Sequence, residues 1–548
     1  MLRLKLLPLR YLPYATSMLG LLATLPLAWL EPAWSPVPAV FGALTILGTR
    51  DLIQRKHTVS RNYPILAHFR YFLESIGPEI RQYFIESDTE AMPFSREQRS
   101  IVYRRAKNVL DKKPFGSLHD MYAPGYEWLN HSLQPAHIDN QDFRITVGGE
   151  RGQPYSVSVF NISAMSFGSL SPNAILALNA GARIGGFYHD TGEGGISRHH
   201  RKHGGDLVWE IGSGYFGCRN PDGSFNAEAF ERSARMEQVR MIEIKLSQGA
   251  KPGHGGVLPA AKVSREIAEA RGVPEGEDVI SPPAHSAFNT PLELMAFIER
   301  LRFLSGEKPV GIKLAIGHPW EWFAIVKAML ESGTHPDFIV VDGGEGGTGA
   351  APLEHINRIG EPLSEGLLLV HNTLVGTNLR DRICIGAAGK ITSAFHIARS
   401  LALGADWCNA ARGFMFSLGC IQAQSCHTDR CPSGVATQDP SRGAKLDVPS
   451  KSERVYNFHR NTVGALANML TTAGLTHPEQ FGPEHIIRRM SANDVRSYRE
   501  LYHFIDHGSL LEGPGPEHSL FQRYWKSATP ESFAPPNFIM SLREAKVH

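Results

Sequence analysis

The sequence predicts an α/β protein whose core is a (β/α)8 TIM barrel. Between about 155 and 436, short β-branched runs alternate with amphipathic segments, as expected for parallel strands joined by helices. Glycines, lysines and acids follow directly after these runs, where barrel enzymes build their active sites. The eight predicted strands are SVSVFNIS at 156, GGFYHD at 185, MIEIKL at 241, DVIS at 278, VGIKLA at 310, FIVVD at 338, ICIGA at 383 and DWCNAA at 406.

Two uncharged stretches lie near the N-terminus, from Tyr11 to Leu30 and from Pro32 to Thr49. About twenty apolar residues span a bilayer as a helix. We therefore expect a two-helix membrane anchor over 1–56, with a cleaved signal peptide as the alternative. By the positive-inside rule, the basic flanks indicate that the protein body faces the cytoplasm. These flanking residues are Arg3, Lys5, Arg10, Arg50, Arg55 and Lys56.

The rest of the chain divides into three predicted regions. A linker of helices and loops covers 57–150, the barrel covers 151–440, and a helical extension covers 441–548. The net charge of +2 over 548 residues, without a basic run that carries interleaved aromatics, excludes nucleic acid as an expected partner.

Three of the six cysteines fall in one short stretch, at Cys420, Cys426 and Cys431. Soft thiolates at one point indicate a metal or an iron–sulfur cluster. Three ligands fit a cluster that lacks one iron better than a cubane or a four-coordinate zinc ion. His427 would supply a fourth ligand, which keeps zinc open, and three buried apolar thiols are a further alternative.

Several predicted strands end in motifs that suit catalysis. SAMSFGSLS at 163 offers small residues against which a flat ring can lie, and TGEGG at 191 presents Glu193 on a glycine frame. IKLSQGAKPGHGG at 244 carries Lys245 and Lys251. Two lysines in one cleft would bind a dicarboxylate or polarise a carbonyl, whereas two solvated lysines remain the alternative.

Lys313 lies within the otherwise apolar run VGIKLAI, where an unpaired charge is costly. This position favours a buried lysine beside an anionic cofactor. Backbone amides after the seventh and eighth strands of this fold commonly bind phosphate, and AAGKI at 387 and AARGF at 410 occupy those positions. We therefore expect FMN, with Lys313 near the reducible edge of its ring.

The order of the motifs resembles the FMN-binding synthase domain of glutamate synthase. It runs SAMSFGS, TGEGG, IKLSQGAKPGHGGVLP, ISPPAH, VDGGEGGTGAAP, LRDRI and C-x5-C-x4-C-P-x-GVATQDP, over roughly 155 to 440. The resemblance implies FMN and a [3Fe-4S] cluster in one barrel. It implies that a 2-oxo acid such as 2-oxoglutarate is reductively aminated with ammonia, and that a separate donor such as ferredoxin or a reductase subunit supplies electrons.

The same resemblance assigns roles by position. It implies cluster ligands at Cys420, Cys426 and Cys431, substrate contacts at Lys245, Lys251 and Arg271, and catalytic roles for Glu193 and Lys251. Glu193 would handle a proton or ammonium. The implied FMN contacts are Ser163, Ala164, Met165, Lys313, Gly343, Gly344, Gly346, Gly347, Gly389 and Gly413.

The chain departs from the family pattern at three points. Val257 stands where the family has glutamine, so the substrate is expected to be 2-oxoglutarate or a related 2-oxo acid. No cysteine precedes Cys218, which indicates that the amidotransferase domain is absent, and no GxGxxG fingerprint follows a strand. A membrane-anchored FMN and iron–sulfur oxidoreductase is therefore expected. The alternatives are another FMN-barrel oxidoreductase and a membrane redox relay that does not aminate.

Overall fold

The computed structural model describes residues 8–74, 92–110, 112–258, 260–513 and 519–536. Its centre is a closed barrel of eight parallel strands in which each strand pairs with the next along the chain. The last strand pairs with the first through Cys408 and Phe160, which closes the barrel. The predicted (β/α)8 barrel is confirmed. Its strands are β1 (Phe160–Ile162), β2 (His189–Asp190), β3 (Leu207–Ile211), β4 (Val239–Lys245), β5 (Val310–Leu314), β6 (Phe338–Asp342), β7 (Cys384–Ala388) and β8 (Trp407–Ala410).

The sequence prediction is wrong at one strand. The run DVIS at 278 is not part of the barrel, because Val279–Ile280 pairs antiparallel with Val257–Leu258 outside it, and Ile280 is 65% exposed. The true third strand is β3, whose five residues are all buried. Short apolar runs cannot be assigned to a barrel position by periodicity alone, which explains the error.

Helices of the barrel layer are bounded by ordinary capping chemistry. Before the helix Pro291–Ser305, the side chain of Thr290 accepts a hydrogen bond from the amide of Glu293, and Gly306 ends the helix with φ +77°. The other helices of this layer are Pro172–Gly185, Arg198–Arg201, Ala227–Ala234, Arg265–Arg271, Pro319–Ser332, Leu353–Arg358, Leu363–Gly376, Ala394–Ala402 and Arg412–Leu418.

A 26-residue helix, Val448–Ala473, completes the helical layer between β8 and β1. It packs closely on the helix Pro172–Gly185, since a side-chain carbon at Gly181 would lie 2.8 Å from the carbonyl oxygen of Ser452. The region after 440, predicted to be a helical extension, thus contributes this helix to the layer around the barrel.

The segment before the barrel and the C-terminal segment fold together. Glu127–Leu129 pairs with Ile486–Arg489, which also pairs with Val495–Ser497. Arg144–Val147 forms an antiparallel pair with Tyr155–Ser158. The remaining helices are Thr58–Asn62, a segment over 66–74, Arg96–Ala106, Pro440–Gly443, Tyr498–Leu501, Ser509–Glu512 and Ser519–Tyr524, with 3-10 turns at Ala260–Lys262, Cys426–Thr428 and Pro478–Gln480. Residues 75–91 of the predicted linker lie outside the described residues.

The N-terminal region forms a hairpin of two helices, Leu12–Leu30 and Pro36–Ile53, which pack side by side. The hydroxyl of Tyr14 lies 3.0 Å from that of Thr49. With their flanking 3-10 turns the helices form two spans, each long and apolar enough to cross a membrane. Arg3 and Lys5 of the predicted basic flank lie outside the described residues.

The base of the hairpin is fixed to the protein body at both ends. At the first helix, Arg10 is buried and contacts the carboxylate of Asp439 and the hydroxyl of Ser441. At the second helix, the carboxylate of Asp51 accepts hydrogen bonds from the amide of Ile65 and the ring of His68. The apolar helices thus extend from a rigid attachment.

Candidate active site

A cavity of about 360 Å³ lies at the carboxyl ends of the barrel strands. It is lined by loops that follow different strands, which is how this fold assembles its sites. Most of the predicted site residues meet there. Those lining the cavity are Ser163, Ala164, Met165, Glu193, Lys245, Lys251, Arg271, Lys313, Gly346, Gly347, Gly389 and Gly413.

Gly343 and Gly344, predicted as cofactor contacts, are not among the residues that line the cavity. They form a tight backbone crossing behind it. A side-chain carbon at Gly343 would lie 2.6 Å from Cβ of Leu363, and one at Gly344 would lie 2.8 Å from the carbonyl oxygen of Gly360. Their glycine character is therefore explained by packing.

Glu193 is held by Lys245 at one side of the cavity. The ammonium Nζ of Lys245 lies 3.1 Å from Oε2 of Glu193 and donates to Oε1 of Gln248 at 2.7 Å. Burial opposes ionisation of Glu193, but the charge of Lys245, supported by Arg271 and Lys251, outweighs it and lowers the pKa of Glu193 to about 2. Glu193 is therefore a carboxylate at neutral pH.

Lys251 approaches the same carboxylate from the loop after β4. A side-chain carbon at Gly256 would lie 3.4 Å from Oε1 of Glu193 and 3.8 Å from Nζ of Lys251, so both side chains border this glycine. Burial, together with the charge of Lys245, lowers the pKa of Lys251 although Glu193 raises it. A lowered pKa makes Lys251 a more ready proton donor than an exposed lysine.

Arg271 ends the helix Arg265–Arg271 and reaches the cavity from below the Glu193 loop. The residue is 6% exposed, its guanidinium lies 4.8 Å from the centre of the Phe216 ring, and Nη2 donates to the carbonyl of Phe167 at 3.4 Å. Its Nε has no hydrogen-bond partner among the described residues. A buried donor without a partner is costly and suits an anionic ligand.

Together these groups give one side of the cavity a positive charge. Lys245, Lys251 and Arg271 contribute three positive charges, and the ionised Glu193 contributes one negative charge. The sum is +2, which is equal and opposite to the charge of a dicarboxylate.

Lys313 lies on β5 at the floor of the cavity and is 4% exposed. It forms a hydrogen-bonded ion pair with Glu210, and Oε1 of Glu243 lies 3.3 Å from Nζ in a second, poorly directed ion pair. Asp190 lies within 4.8 Å of both carboxylates. Burial opposes the charge of Lys313, but these acids outweigh it and hold its pKa well above the usual value. The lysine is buried as predicted, and its partners are protein carboxylates.

Sequence reasoning missed these acids. Glu210 lies on the strand that was not predicted, and Glu243 lies in the predicted strand MIEIKL, where it drew no attention. The available signal was the same for two of these residues, since Glu210 and Lys313 are each a single charge within an apolar strand, whereas Glu243 shares its strand with Arg240 and Lys245. Only the barrel register, which pairs Glu210 with Glu243 and Gly311 with Glu243, brings them together.

The loops after β7 and β8 meet at another side of the cavity. Gly389 and Lys390 follow β7, and Lys390 adopts φ +50°, in the left-handed region. Gly413 follows β8, and a side-chain carbon there would lie 3.1 Å from the carbonyl oxygen of Ile391. The predicted phosphate-binding segments are thus adjacent and border the cavity.

The cysteine loop borders the cavity through Cys426 and His427. Cys420 and Cys431 are buried, and Cys426 is partly exposed. Burial raises the pKa of the Cys420 thiol to about 11, with smaller contributions from the thiols of Cys431 and Cys426. Among the described residues, the only three ligating atoms that all lie within 4.8 Å of one another belong to the acids around Lys313. The three loop sulfurs do not form such a group within the part of the chain that the structure describes.

Residues 134–476 match the conserved region of glutamate synthase. The match includes the barrel, the cysteine loop and the whole helix Val448–Ala473. The chain is 39% identical over 495 residues to the glutamate synthase large subunit-like protein YerD of Bacillus subtilis, covering 83% of this chain and 94% of that protein.

Other relatives share only part of their length with this chain. The archaeal-type glutamate synthase [NADPH] of Thermotoga maritima is 33% identical over 334 residues, covering 61% of this chain and 62% of that protein. For the glutamate synthase [NADPH] large chain of Bacillus subtilis, the identity is 35% over 297 residues, which is 53% of this chain and 18% of that protein.

Solved structures similar to this chain include a mutant flavocytochrome b2 with pyruvate bound, at 11% identity and a TM-score of 0.42, covering 86% of this chain and 98% of that one. A mandelate oxidase mutant has 14% identity and a TM-score of 0.40, and the match covers 73% of this chain and 97% of that one.

Proposed function

This chain belongs to the glutamate synthase family of oxidoreductases, and from that premise we propose that it reductively aminates a 2-oxo acid with FMN and an iron–sulfur cluster. The observation that carries the proposal is the charge of +2 formed by Lys245, Lys251, Arg271 and Glu193 in the cavity. A 2-oxo dicarboxylate has the complementary charge.

FMN fits the cavity in size and chemistry. Ligand sites commonly enclose about 300–1,000 Å³, and the volume of about 360 Å³ lies in that range. The segments at Gly389 and Gly413 would hold the phosphate, Ala164 and Met165 would lie along the ring, and Lys313 would face it. FMN supplies the hydride when bound.

An iron–sulfur cluster fits the three-cysteine loop. Cys420, Cys426 and Cys431 would be the ligands, and three thiolates in one loop suit a cluster that lacks one iron better than a four-coordinate zinc ion. A cluster of this kind supplies one-electron transfer. A separate protein such as ferredoxin or a reductase subunit is the proposed electron source.

The cationic and anionic side chains of the cavity are proposed to bind different reactants. Arg271, with its buried Nε lacking a partner, binds a carboxylate of the 2-oxo acid together with Lys245 and Lys251. Because its pKa is lowered to about 2, Glu193 cannot donate a proton at neutral pH and instead holds ammonium beside the substrate. Lys251, whose pKa is lowered by burial, is the group suited to transfer the proton.

The discrimination between 2-oxo acids is proposed to be weaker than in relatives with glutamine at the position of Val257. A binding site that lacks one hydrogen-bonding side chain discriminates less well between polar substrates. The substrate is therefore 2-oxoglutarate or a related 2-oxo acid.

We also propose that the hairpin anchors the protein to a membrane with the barrel in the cytoplasm. Both helices are long and apolar enough to span, and both are attached to the body at their basic ends. A reducing compartment also keeps the cysteine loop free of disulfides.

The test is to reduce the purified protein anaerobically and to follow flavin reoxidation with a panel of 2-oxo acids, each with and without ammonium. We expect reoxidation only when both are present. Reoxidation that never depends on a 2-oxo acid would support a redox relay and contradict the proposal. Purified protein without flavin absorbance would contradict every FMN-based function.

A further inference from the structure

A cluster of basic residues surrounds the base of the apolar hairpin. We call it the basic patch and define it as Arg55, Lys56, Lys107, Lys451 and Arg454. Arg55 and Lys56 follow the helix Pro36–Ile53 directly, Lys107 ends the helix Arg96–Ala106, and the other two lie in the first turns of Val448–Ala473. The patch is therefore assembled by folding from three distant segments.

These cations lie close together in space. A guanidinium nitrogen of Arg454 donates to the carbonyl of Lys56 at 3.4 Å. His57 lies among them, and its pKa is lowered by burial and then by the charges of Arg454, Lys107, Lys451 and Lys56. Four like charges that act on one imidazole show that the patch is a region of positive potential.

Among the residues that the structure describes, nearby acids do not balance the patch. Asp447 lies 4.0 Å from Arg55, and its carboxylate also accepts from the amide of Ser450 as a helix cap. Glu74 is paired with Arg70, and Glu453 is exposed. Within the described residues, no carboxylate lies within 4.0 Å of the ammonium groups of Lys107 or Lys451.

Lys451 is the buried member of the patch, and its Nζ lies beside Gly419. It is 3% exposed, and burial, together with Arg454 and Lys107, lowers its pKa to about 7. Lys451 is too buried to meet a headgroup, so the members that can reach an external anion are the exposed Arg55, Lys56 and Lys107.

The position of the patch identifies the anion. The cations begin two residues beyond Ile53, where the second apolar helix ends, so they lie at the depth of lipid headgroups once the hairpin spans a bilayer. The cytoplasmic leaflet carries anionic lipids that attract such residues.

We propose that the basic patch binds anionic phospholipid headgroups, which fixes the barrel against the membrane surface. This inference rests on the proposed membrane attachment. It adds Lys107 and Arg454 to the basic flanks that the sequence reveals, since these two are distant from the hairpin along the chain.

The experiment uses the full chain in vesicles of phosphatidylcholine, alone or with phosphatidylglycerol, and measures deuterium uptake of the amides at 104–110 and 448–456. We expect phosphatidylglycerol to slow exchange about tenfold, the scale set by one or two basic residues at an anionic leaflet. High salt should remove the effect because headgroup attraction is screened.

The double variant Lys107→Gln with Arg454→Gln should lose the lipid effect. The matched control is Arg300→Gln, an exposed cation on the helix Pro291–Ser305, which precedes β5 on the far side of the barrel, and it should keep the effect. Equal exchange of the wild-type chain in both vesicles would overturn the inference. Protection of the wild-type chain by inorganic phosphate in neutral vesicles would also overturn it.

Extraction by alkaline carbonate separates the two failures. A chain that is extracted from both vesicles overturns the membrane attachment and the lipid contact together. A chain that resists extraction but exchanges equally in both vesicles overturns the lipid contact alone.

Discussion

Lys313 and Glu210 form an ion pair buried inside the barrel, on two strands separated by β4. The pair lies at the floor of the cavity, with Glu243 and Asp190 close behind it. One lysine is thus shared among three carboxylates. Its ammonium serves both the stability of the barrel and the charge of the cofactor cavity.

Replacing Lys313 by methionine should destabilise the protein strongly. The substitution leaves Glu210, Glu243 and Asp190 buried without a cation, and breaking a buried pair by removing one partner costs about 3–5 kcal/mol. Urea unfolding measures the change. Glu210→Gln is the matched control, because Glu243 still pairs with the lysine, and it should cost less. Equal stability of Lys313→Met and wild type would contradict the assignment.

The three acids around Lys313, which are Asp190, Glu210 and Glu243, also predict a pH dependence of stability. Burial raises the pKa of Asp190 to about 7 from its usual 3.8, although Lys313 opposes the rise. Between these values the folded protein holds a proton that the unfolded chain releases, so this group's contribution to stability is lost as pH rises through the window. Asp190→Asn removes the titrating group.

The measurement compares the free energy of unfolding at about pH 5 and about pH 7. We expect the free energy of unfolding to fall less between about pH 5 and about pH 7 in Asp190→Asn than in wild type, because a group that retains a proton on folding has been removed. Glu361, whose pKa is also raised to about 7 by burial, titrates in both proteins and cancels in the comparison. An unchanged difference would contradict the prediction.

The cluster also illustrates what could be predicted from the sequence. Lys313 was identifiable as a buried charge because it is alone in an apolar strand, and the same reasoning applied to Glu210 fails only because β3 was not predicted. The run LVWEI at 207 follows a His-rich segment, whereas DVIS at 278 has a similar composition and lies outside the barrel. The local sequence pattern does not show which of the two runs is a barrel strand. The closed pairing of eight strands in the structure shows it.

The cationic side of the cavity shows which site residues the sequence can and cannot indicate. Glu193, Lys245 and Lys251 could be predicted because they follow strand ends and resemble a family motif. The orphan Nε of Arg271 and the packing role of Gly343 depend on approaches between loops distant in sequence. Such contacts leave no local signal in the chain.

Replacing Glu193 by glutamine should weaken the use of ammonium. The carboxylate is the only negative charge in the cationic side of the cavity, and its loss raises the charge there from +2 to +3. We expect the KM for ammonium to rise about tenfold, because losing one charge-assisted hydrogen bond weakens binding by roughly that factor. The affinity for the 2-oxo acid should not decrease. Glu193→Asp keeps the charge and should lose less. A selective rise in the KM for the 2-oxo acid would contradict this role.

Arg271→Lys tests the carboxylate contact. Lysine keeps the charge but lacks the planar fork that binds a carboxylate with two donors. We expect the 2-oxo acid to bind about 10–100-fold more weakly, equivalent to about 1.5–3 kcal/mol, with the FMN content unchanged. Arg219→Lys, which alters a second arginine over the Phe216 ring, is the control and should bind normally. Normal binding by Arg271→Lys would remove Arg271 from the substrate site.

Cys426→Ser tests the cysteine loop. Cys426 is the most exposed of the three loop cysteines and borders the cavity, so its substitution should remove the iron while disturbing the barrel little. We expect iron and acid-labile sulfide to fall to background and FMN to remain bound, because the flavin segments lie on other loops. Cys384→Ser is the matched control, since Cys384 is a partly exposed cysteine on β7 outside the loop, and it should retain the iron. Full iron content in Cys426→Ser would contradict the ligand assignment. Loss of iron from His427→Ala would instead indicate that His427 is a fourth ligand. That result would favour a single metal ion bound by four protein ligands.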